Sequence, residues 1–263
     1  MKRLIDTHSH LFLEEFSEDL QDVVERSVKA GVDTFVMPCI NLHSLPLMYQ
    51  VKSLYPEKCH LTIGLHPTDI SGSYMQELRE MKNILDDSAK GADGFCAVGE
   101  VGLDLYWDRS TLSDQLRVFS TQIEWALEYD LPLIIHFRSA TDELCCMLDR
   151  YAGSGLRGVF HCFSGNGEEV ERLLGYEGFM FGIGGVLTYK KSELRASLPL
   201  IPRNRVIPET DCPYLSPIPF RGRRNEPSFM VETVKQIADV WGCDADEAAC
   251  VLTANSCSLF GIS

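Results

Sequence analysis

A chain of 263 residues with 45% hydrophobic and 24% charged side chains has the make-up of a globular protein, which excludes a disordered, collagen-like or coiled-coil chain. Its net charge of −14, from 24 Lys+Arg against 38 Asp+Glu, excludes coating of DNA or anionic membrane through the overall field. A locally basic or metal-loaded site that handles phosphate stays open.

No apolar run reaches the roughly 20 residues of a membrane span, and Met1–Asp6 turns polar too soon for a signal peptide. The 10 cysteines are scattered, with no CxxC pair. Cys39, Cys96, Cys162 and Cys250 lie in apolar runs, where a reduced thiol behaves as a small buried hydrophobe. The expectation is a reduced, cytoplasmic protein.

Leu4–Ile5 opens a series of short apolar runs. Leu20, Val23, Val24 and Val28 then share a helical face, with Gly31 as a left-handed stop. Thr34–Met37, Leu61–Leu65 and Phe95–Val98 are the next runs. Leu116, Phe119, Ile123 and Ala126 repeat the helical spacing up to Leu131-Pro132, and Leu133–Ile135 follows. After Gly158–Phe160 come Val170, Leu173 and Leu174, with Ser164 as the expected helix cap. Phe179–Ile183 and Val206–Ile207 complete eight runs. Asp244 and Glu247 form a capping-box pattern for a last helix ending about Leu252. No linker divides the sequence, so residues 1–263 are expected to form a single domain.

Eight strands alternating with helices predict a (β/α)8 TIM-type barrel. A doubly wound sheet would carry GxGxxG after the first strand, where this chain has Thr7-His8-Ser9-His10. In a barrel every strand ends at one mouth. Five of the seven histidines follow predicted strands: His8, His10, His66, His136 and His161. Glu100 follows the fourth strand and Asp211 the eighth.

Residues two apart on a strand share a face, so His8 and His10 point into one space with Asp6 deeper, while His136 pairs with Arg138 and Glu209 with Asp211. These imidazoles and carboxylates suffice for one or two divalent metals. The competing reading of Glu100 is a salt bridge to Arg138. His43 and His60 are read as structural. The Phe220–Pro227 segment, with Arg221, Arg223 and Arg224, is the dense basic cluster; it is either a phosphate-binding rim or a solvated loop. Tyr106, Trp107 and Tyr189 fall in post-strand loops, where they can stack on bases or pack the loops down.

At seven places in order the sequence resembles the TatD family of metal-dependent hydrolases, within the amidohydrolase-like superfamily. They are Asp6-Thr7-His8-Ser9-His10, Gly64-Leu65-His66-Pro67, Gly99-Glu100-Val101-Gly102-Leu103-Asp104, His136-Phe137-Arg138, His161-Cys162-Phe163-Ser164-Gly165, Glu209-Thr210-Asp211-Cys212-Pro213 and Arg224-Asn225-Glu226-Pro227. Ser9, Phe137 and Cys212 depart from the pattern at variable positions and remove no expected ligand.

The resemblance implies a divalent-metal deoxyribonuclease of the 3′-to-5′ exonuclease kind, with His8, His10, Glu100, His136, His161 and Asp211 around the metals. On this reading two ions (Mg2+, Mn2+ or Zn2+) activate water against a DNA phosphodiester. Glu100 bridges them, with His8, His10 and Asp211 on one ion and His136 and His161 on the other. Asp211 is the general base. His66 contacts phosphate or protonates the leaving group, and Arg138, Arg221, Arg223 and Arg224 position the backbone. The expected partner is DNA, at single-stranded ends, with no membrane and no obligate protein partner. The alternative substrate is a small amide, lactone or phosphoester.

Overall fold

Apolar runs rich in β-branched residues become strands here, and the amphipathic stretches between them become the helices that cover them. A computed structural model describes residues 2–88 and 94–262. The strands are β1 (Leu4–Asp6), β2 (Val32–Met37), β3 (Cys59–Ile63), β4 (Ala97–Asp104), β5 (Leu133–Arg138), β6 (Gly158–Phe160), β7 (Phe179–Ile183) and β8 (Val206–Pro208). They are parallel and adjacent in chain order from β1 to β8. The helices are α1 (Leu20–Ala30), α2 (Ser44–Leu54), α3 (Tyr74–Ser88), α4 (Leu112–Glu128), α5 (Thr141–Asp149), α6 (Gly167–Leu174), α7 (Leu194–Ser197), α8 (Met230–Trp241) and α9 (Ala245–Phe260). This is the (β/α)8 barrel that the spacing predicts.

Closure between the first and last strands occurs just past their ends. Thr7 N donates to Pro208 O at 3.3 Å, Asp211 N to His8 O at 2.9 Å, and His10 N to Cys212 O at 3.0 Å. The segments that seal the barrel are therefore the ones carrying His8, His10 and Asp211. Fixing the seam fixes those side chains.

Strand alternation divides the apolar residues in two. Ile5, Val36, Ala97, Ile134, Val159 and Ile207 fill the lumen together with Leu259, Phe260 and Ile262 from the C-terminus. Their neighbours Leu4, Phe35, Val98, Leu133, Phe160 and Val206 face the helices in the larger core.

Three local expectations need correction. The last helix runs two turns past Leu252 to Phe260, ending at Gly261 with φ 63°. Thr253–Ser258 reads as a stop because, Ala254 apart, these residues are weak helix formers. Yet Asn255 Nδ2 donates to Arg203 O and Val206 O, pinning the helix to β8 and carrying Phe260 into the lumen. The cap of α6 is Asn166 rather than Ser164, through a reciprocal capping box with Glu169. Cys250 is exposed, because the helical period turns it outward between buried Ala249 and Leu252, whereas Cys39 is buried. Gly31 ends α1 with φ 99°, as expected. Among the described residues no helix is long and apolar enough to cross a membrane.

Candidate metal centre

On six of the eight strands the chain changes from apolar to polar at or just past the strand C-terminus. His8 and His10 follow β1, and His66 follows β3. Glu100 and Asp104 stand on β4 and His136 on β5, while His161 follows β6 and Glu209 and Asp211 follow β8. Of these, His10, His66, Glu100, His136, His161 and Asp211 line one cavity of about 570 Å³ at the mouth.

Two donor groups meet there. In the first, His8 Nε2 lies 3.2 Å from His10 Nε2, 3.2 Å from Glu100 Oε2 and 3.7 Å from Asp211 Oδ1. His10 Nε2 is 3.4 Å from Asp211 Oδ1. In the second, the other oxygen of Glu100 lies 3.1 Å from His136 Nδ1 and 3.4 Å from His66 Nε2. His161 Nε2 sits between the groups, 3.8 Å from both Glu100 Oε1 and Asp211 Oδ1. Its ring stacks on His8 with centroids 3.4 Å apart.

These residues fit a metal on two grounds. Glu100, Asp104, Glu209 and Asp211 are paired with imidazoles and, among the described residues, with no Lys or Arg. So many carboxylates brought together out of water call for added positive charge. Ligands bound to one ion at about 2.1 Å stand about 3.0–3.4 Å apart, close to the spacing of the first group. Among the described residues, four groups of three potential ligands have their donor atoms within 4.8 Å of one another, and Glu100 belongs to two of them.

The carboxylates and imidazoles also shift one another's ionisation. Burial opposes ionisation of Glu100, but His66, His8 and His161 hold its carboxyl well below the usual range. Asp211 is also lowered: burial opposes its charge, and a hydrogen bond from His10 with the nearby imidazoles overcomes that. For His161, burial is outweighed by Glu209 and Glu100, which lift it to about 10. Burial is likewise outweighed for His136, which Asp104 and Glu100 raise to about 8. His8 is pushed down to about 4 by burial and the adjacent His161, leaving a neutral imidazole able to ligate.

The structure also places the residues around these donors. Asp6, expected deeper on the face of His8 and His10, lies apart from the donors. Its carboxylate accepts from Thr210 N at 3.0 Å, Thr210 Oγ1 at 2.5 Å and His8 N at 3.3 Å, clamping the seam. Burial raises its pKa to about 7 against those hydrogen bonds. His66, expected at the rim without a ligand partner, is brought into the Glu100–His136 group. His161, expected beside His136 alone, also reaches the first group. Glu100 does not salt-bridge Arg138, whose guanidinium instead lies 3.7 Å from the centroid of the Tyr106 ring while lining the cavity.

The arginine cluster does not enter the cavity. Arg224 is paired in bidentate fashion with Asp19 at 2.8 and 2.7 Å, so it ties the last loop to the start of α1. Arg221 rests over Tyr189 at 4.5 Å. Arg223 is exposed.

Two carboxylates that the sequence motifs include, but to which no role was assigned there, prove to be partners of the imidazoles. Asp104 Oδ2 lies 2.9 Å from His136 Nε2, and Glu209 Oε2 lies 3.1 Å from His161 Nδ1. Glu209 also accepts from Cys162 N at 2.6 Å. Such partners orient ligating imidazoles. Asp104 was within reach of the same two-residue rule, standing four places after Glu100. Gly182 makes room for Glu209, since a Cβ there would stand 2.1 Å from its Oε2.

The sequence profile of the family described as TatD related DNase matches residues 5–261. The chain belongs to that family. It is a TatD-family metal-dependent hydrolase. The uncharacterized metal-dependent hydrolase YabD of Bacillus subtilis (strain 168) is 34% identical, over 99% of this chain and 100% of its own. A 3′-5′ ssDNA/RNA exonuclease TatD of Pectobacterium parmentieri (strain WPP163) is 32% identical, with 99% and 100% covered. Among solved structures, the TatD homolog YJJV of Escherichia coli K12 has a TM-score of 0.90 at 30% identity, with 99% of each chain covered. The TatD-family resemblance and the barrel read from the sequence both hold.

Proposed function

We propose that this TatD-family hydrolase removes nucleotides from the 3′ end of single-stranded DNA or RNA, using two divalent ions held at the barrel mouth. The observation that carries this reading is Glu100, whose two oxygens face two separate donor groups. His8, His10, Glu100 and Asp211 would hold one ion, and Glu100, His136 and His66 the other, with His161 reaching both. Mg2+, Mn2+ and Zn2+ all suit such mixed nitrogen and oxygen donors. Bound there, the ions supply a water of lowered pKa and neutralise charge on the phosphoryl oxygens.

The chain's own residues do the remaining work. Asp211 takes the proton of the attacking water, having a carboxylate kept ionised by its imidazole neighbours. Asp104 and Glu209 keep the His136 and His161 rings from turning. Arg138 offers N–H groups at the cavity wall to a substrate phosphate. Residues 1–263 act as a single domain in a reducing cytoplasm, with no protein partner required. Relatives named as exonucleases favour a nucleic acid over a small amide or lactone.

The test is cleavage of 3′- and 5′-labelled single strands by metal-reconstituted wild type and Glu100→Ala. Stepwise loss from the 3′ end that needs both metal and Glu100 supports the reading. Equal cleavage of circular and end-bearing strands, or activity unaffected by the substitution, overturns it.

A further inference from the structure

Trp107 stands in the loop after β4 with 77% of its surface exposed, and Tyr106 beside it is 53% exposed. Indole and phenol rings pack into a core when packing is their role. Here the two rings meet edge to face with centroids 4.7 Å apart, and both lie against a cation. The Arg138 guanidinium is 3.7 Å from the Tyr106 centroid and 5.7 Å from that of Trp107.

Arg138 lines the cavity and forms no ion pair among the described residues, although acids outnumber bases in this chain. Arg26, Arg109 and Arg172, by contrast, each reach a carboxylate. Stacking on Tyr106 leaves the guanidinium edges of Arg138 free for an anion. The mouth thus offers an aromatic face and an unpaired cation side by side, which is the pairing that an unstacked base and its phosphate require. Tyr189 repeats it under Arg221, its hydroxyl donating to Ser216 O next to the cavity residue Leu215.

The geometry points to Trp107, seated on Tyr106 and Arg138, as a base-stacking platform that holds a single strand beside the metal centre. This rests on the reading above that the substrate is single-stranded nucleic acid. Paired bases already cover their faces with neighbours, so the platform selects strands whose terminal bases are free. It reads the presence of a base rather than its identity.

The remaining tryptophans, Trp125 and Trp241, are 5% and 9% exposed, so fluorescence quenching by a ligand reports Trp107. Metal-loaded protein is titrated with an oligothymidylate blocked by phosphorothioate linkages. Wild type is expected to be quenched, and Trp107→Phe to lose that quenching. In turnover, Trp107→Ala is expected to lower kcat/KM about tenfold on oligothymidylate. It should leave hydrolysis of bis(4-nitrophenyl) phosphate and of a wholly abasic strand unchanged.

Quenching that persists in Trp107→Phe, or an equal loss on base-bearing and abasic strands, overturns the platform. Wild type that hydrolyses the small phosphodiester but shows no quenching by the strand overturns it too. If wild type cleaves no phosphodiester under any divalent metal, the hydrolase reading fails first and the platform falls with it.

Discussion

The two ends of this barrel use the same strands for opposite purposes. At the mouth, Glu100, His136 and His161 stand on or just beyond β4, β5 and β6, in a cluster where carboxylates meet imidazoles. At the base, the same strands present Ala97, Ile134 and Val159 to Leu259, Phe260 and Ile262. The base gains free energy from apolar burial, whereas the mouth concentrates charge that water would otherwise solvate. Binding work and folding work are thus separated along each strand. A substitution at one end should leave the other almost untouched, since well-separated sites contribute nearly additively.

The sharpest attempt to break that separation is Asp211→Asn. Loss of the proton acceptor is expected to lower kcat about 10²–10⁴-fold. Thermal stability of the metal-free protein should fall modestly at neutral pH, because the imidazoles that hold this carboxyl below its usual range lose their counter-charge. A large drop in Tm would show that the mouth is part of the stability core. Phe260→Ala is the mirror experiment at the base. It should cost about 3–5 kcal/mol in denaturant unfolding, with kcat per folded molecule unchanged.

The division also explains what the sequence disclosed. The strands and the candidate ligand positions were legible because both follow from period-two alternation ending in His, Glu or Asp. Side-chain partnerships across the chain were not. Nothing local says that Asp6 turns to Thr210, 204 positions away, or that Arg224 turns to Asp19, 205 away. Nor does the run Thr253–Ser258 announce that Asn255 will bond to Arg203 O and Val206 O and keep the helix going. Tertiary hydrogen bonds decide these cases, and they exist only once the barrel has closed.

Orientation of the ligands gives a smaller effect. Asp104→Asn keeps the size of the side chain but removes the charge facing His136 Nε2, 2.9 Å away. Metal affinity by calorimetry should fall about 10–100-fold, with the fold intact by circular dichroism. An unchanged affinity would mean that His136 is oriented by Glu100 alone. Chelation provides the matching control. Metal that binds only the folded chain raises Tm, so a chelator should lower it in wild type and less in Asp104→Asn.

The smallest expected effect concerns a histidine at the other end. His60 on β3 pairs in register with Val36, which places it on the lumen side near the base. Burial, together with Lys52 and Arg3, pushes its pKa down to about 4. The mouth histidines His136 and His161 are raised by carboxylates, whereas His60 is lowered by burial and the charges of Lys52 and Arg3. Its imidazole stays neutral in the fold down to about pH 4, while in the unfolded chain it takes up a proton near pH 6.5. Between those values the unfolded state binds more protons, so the fold loses stability as pH falls from 6.5 toward 4. Above pH 6.5 the residue contributes no pH dependence. His60→Gln should therefore flatten part of the fall in Tm between pH 6.5 and 4.5 while leaving Tm at pH 8 less changed. Parallel wild-type and variant curves across that interval would place His60 in contact with water and remove it from the apolar base.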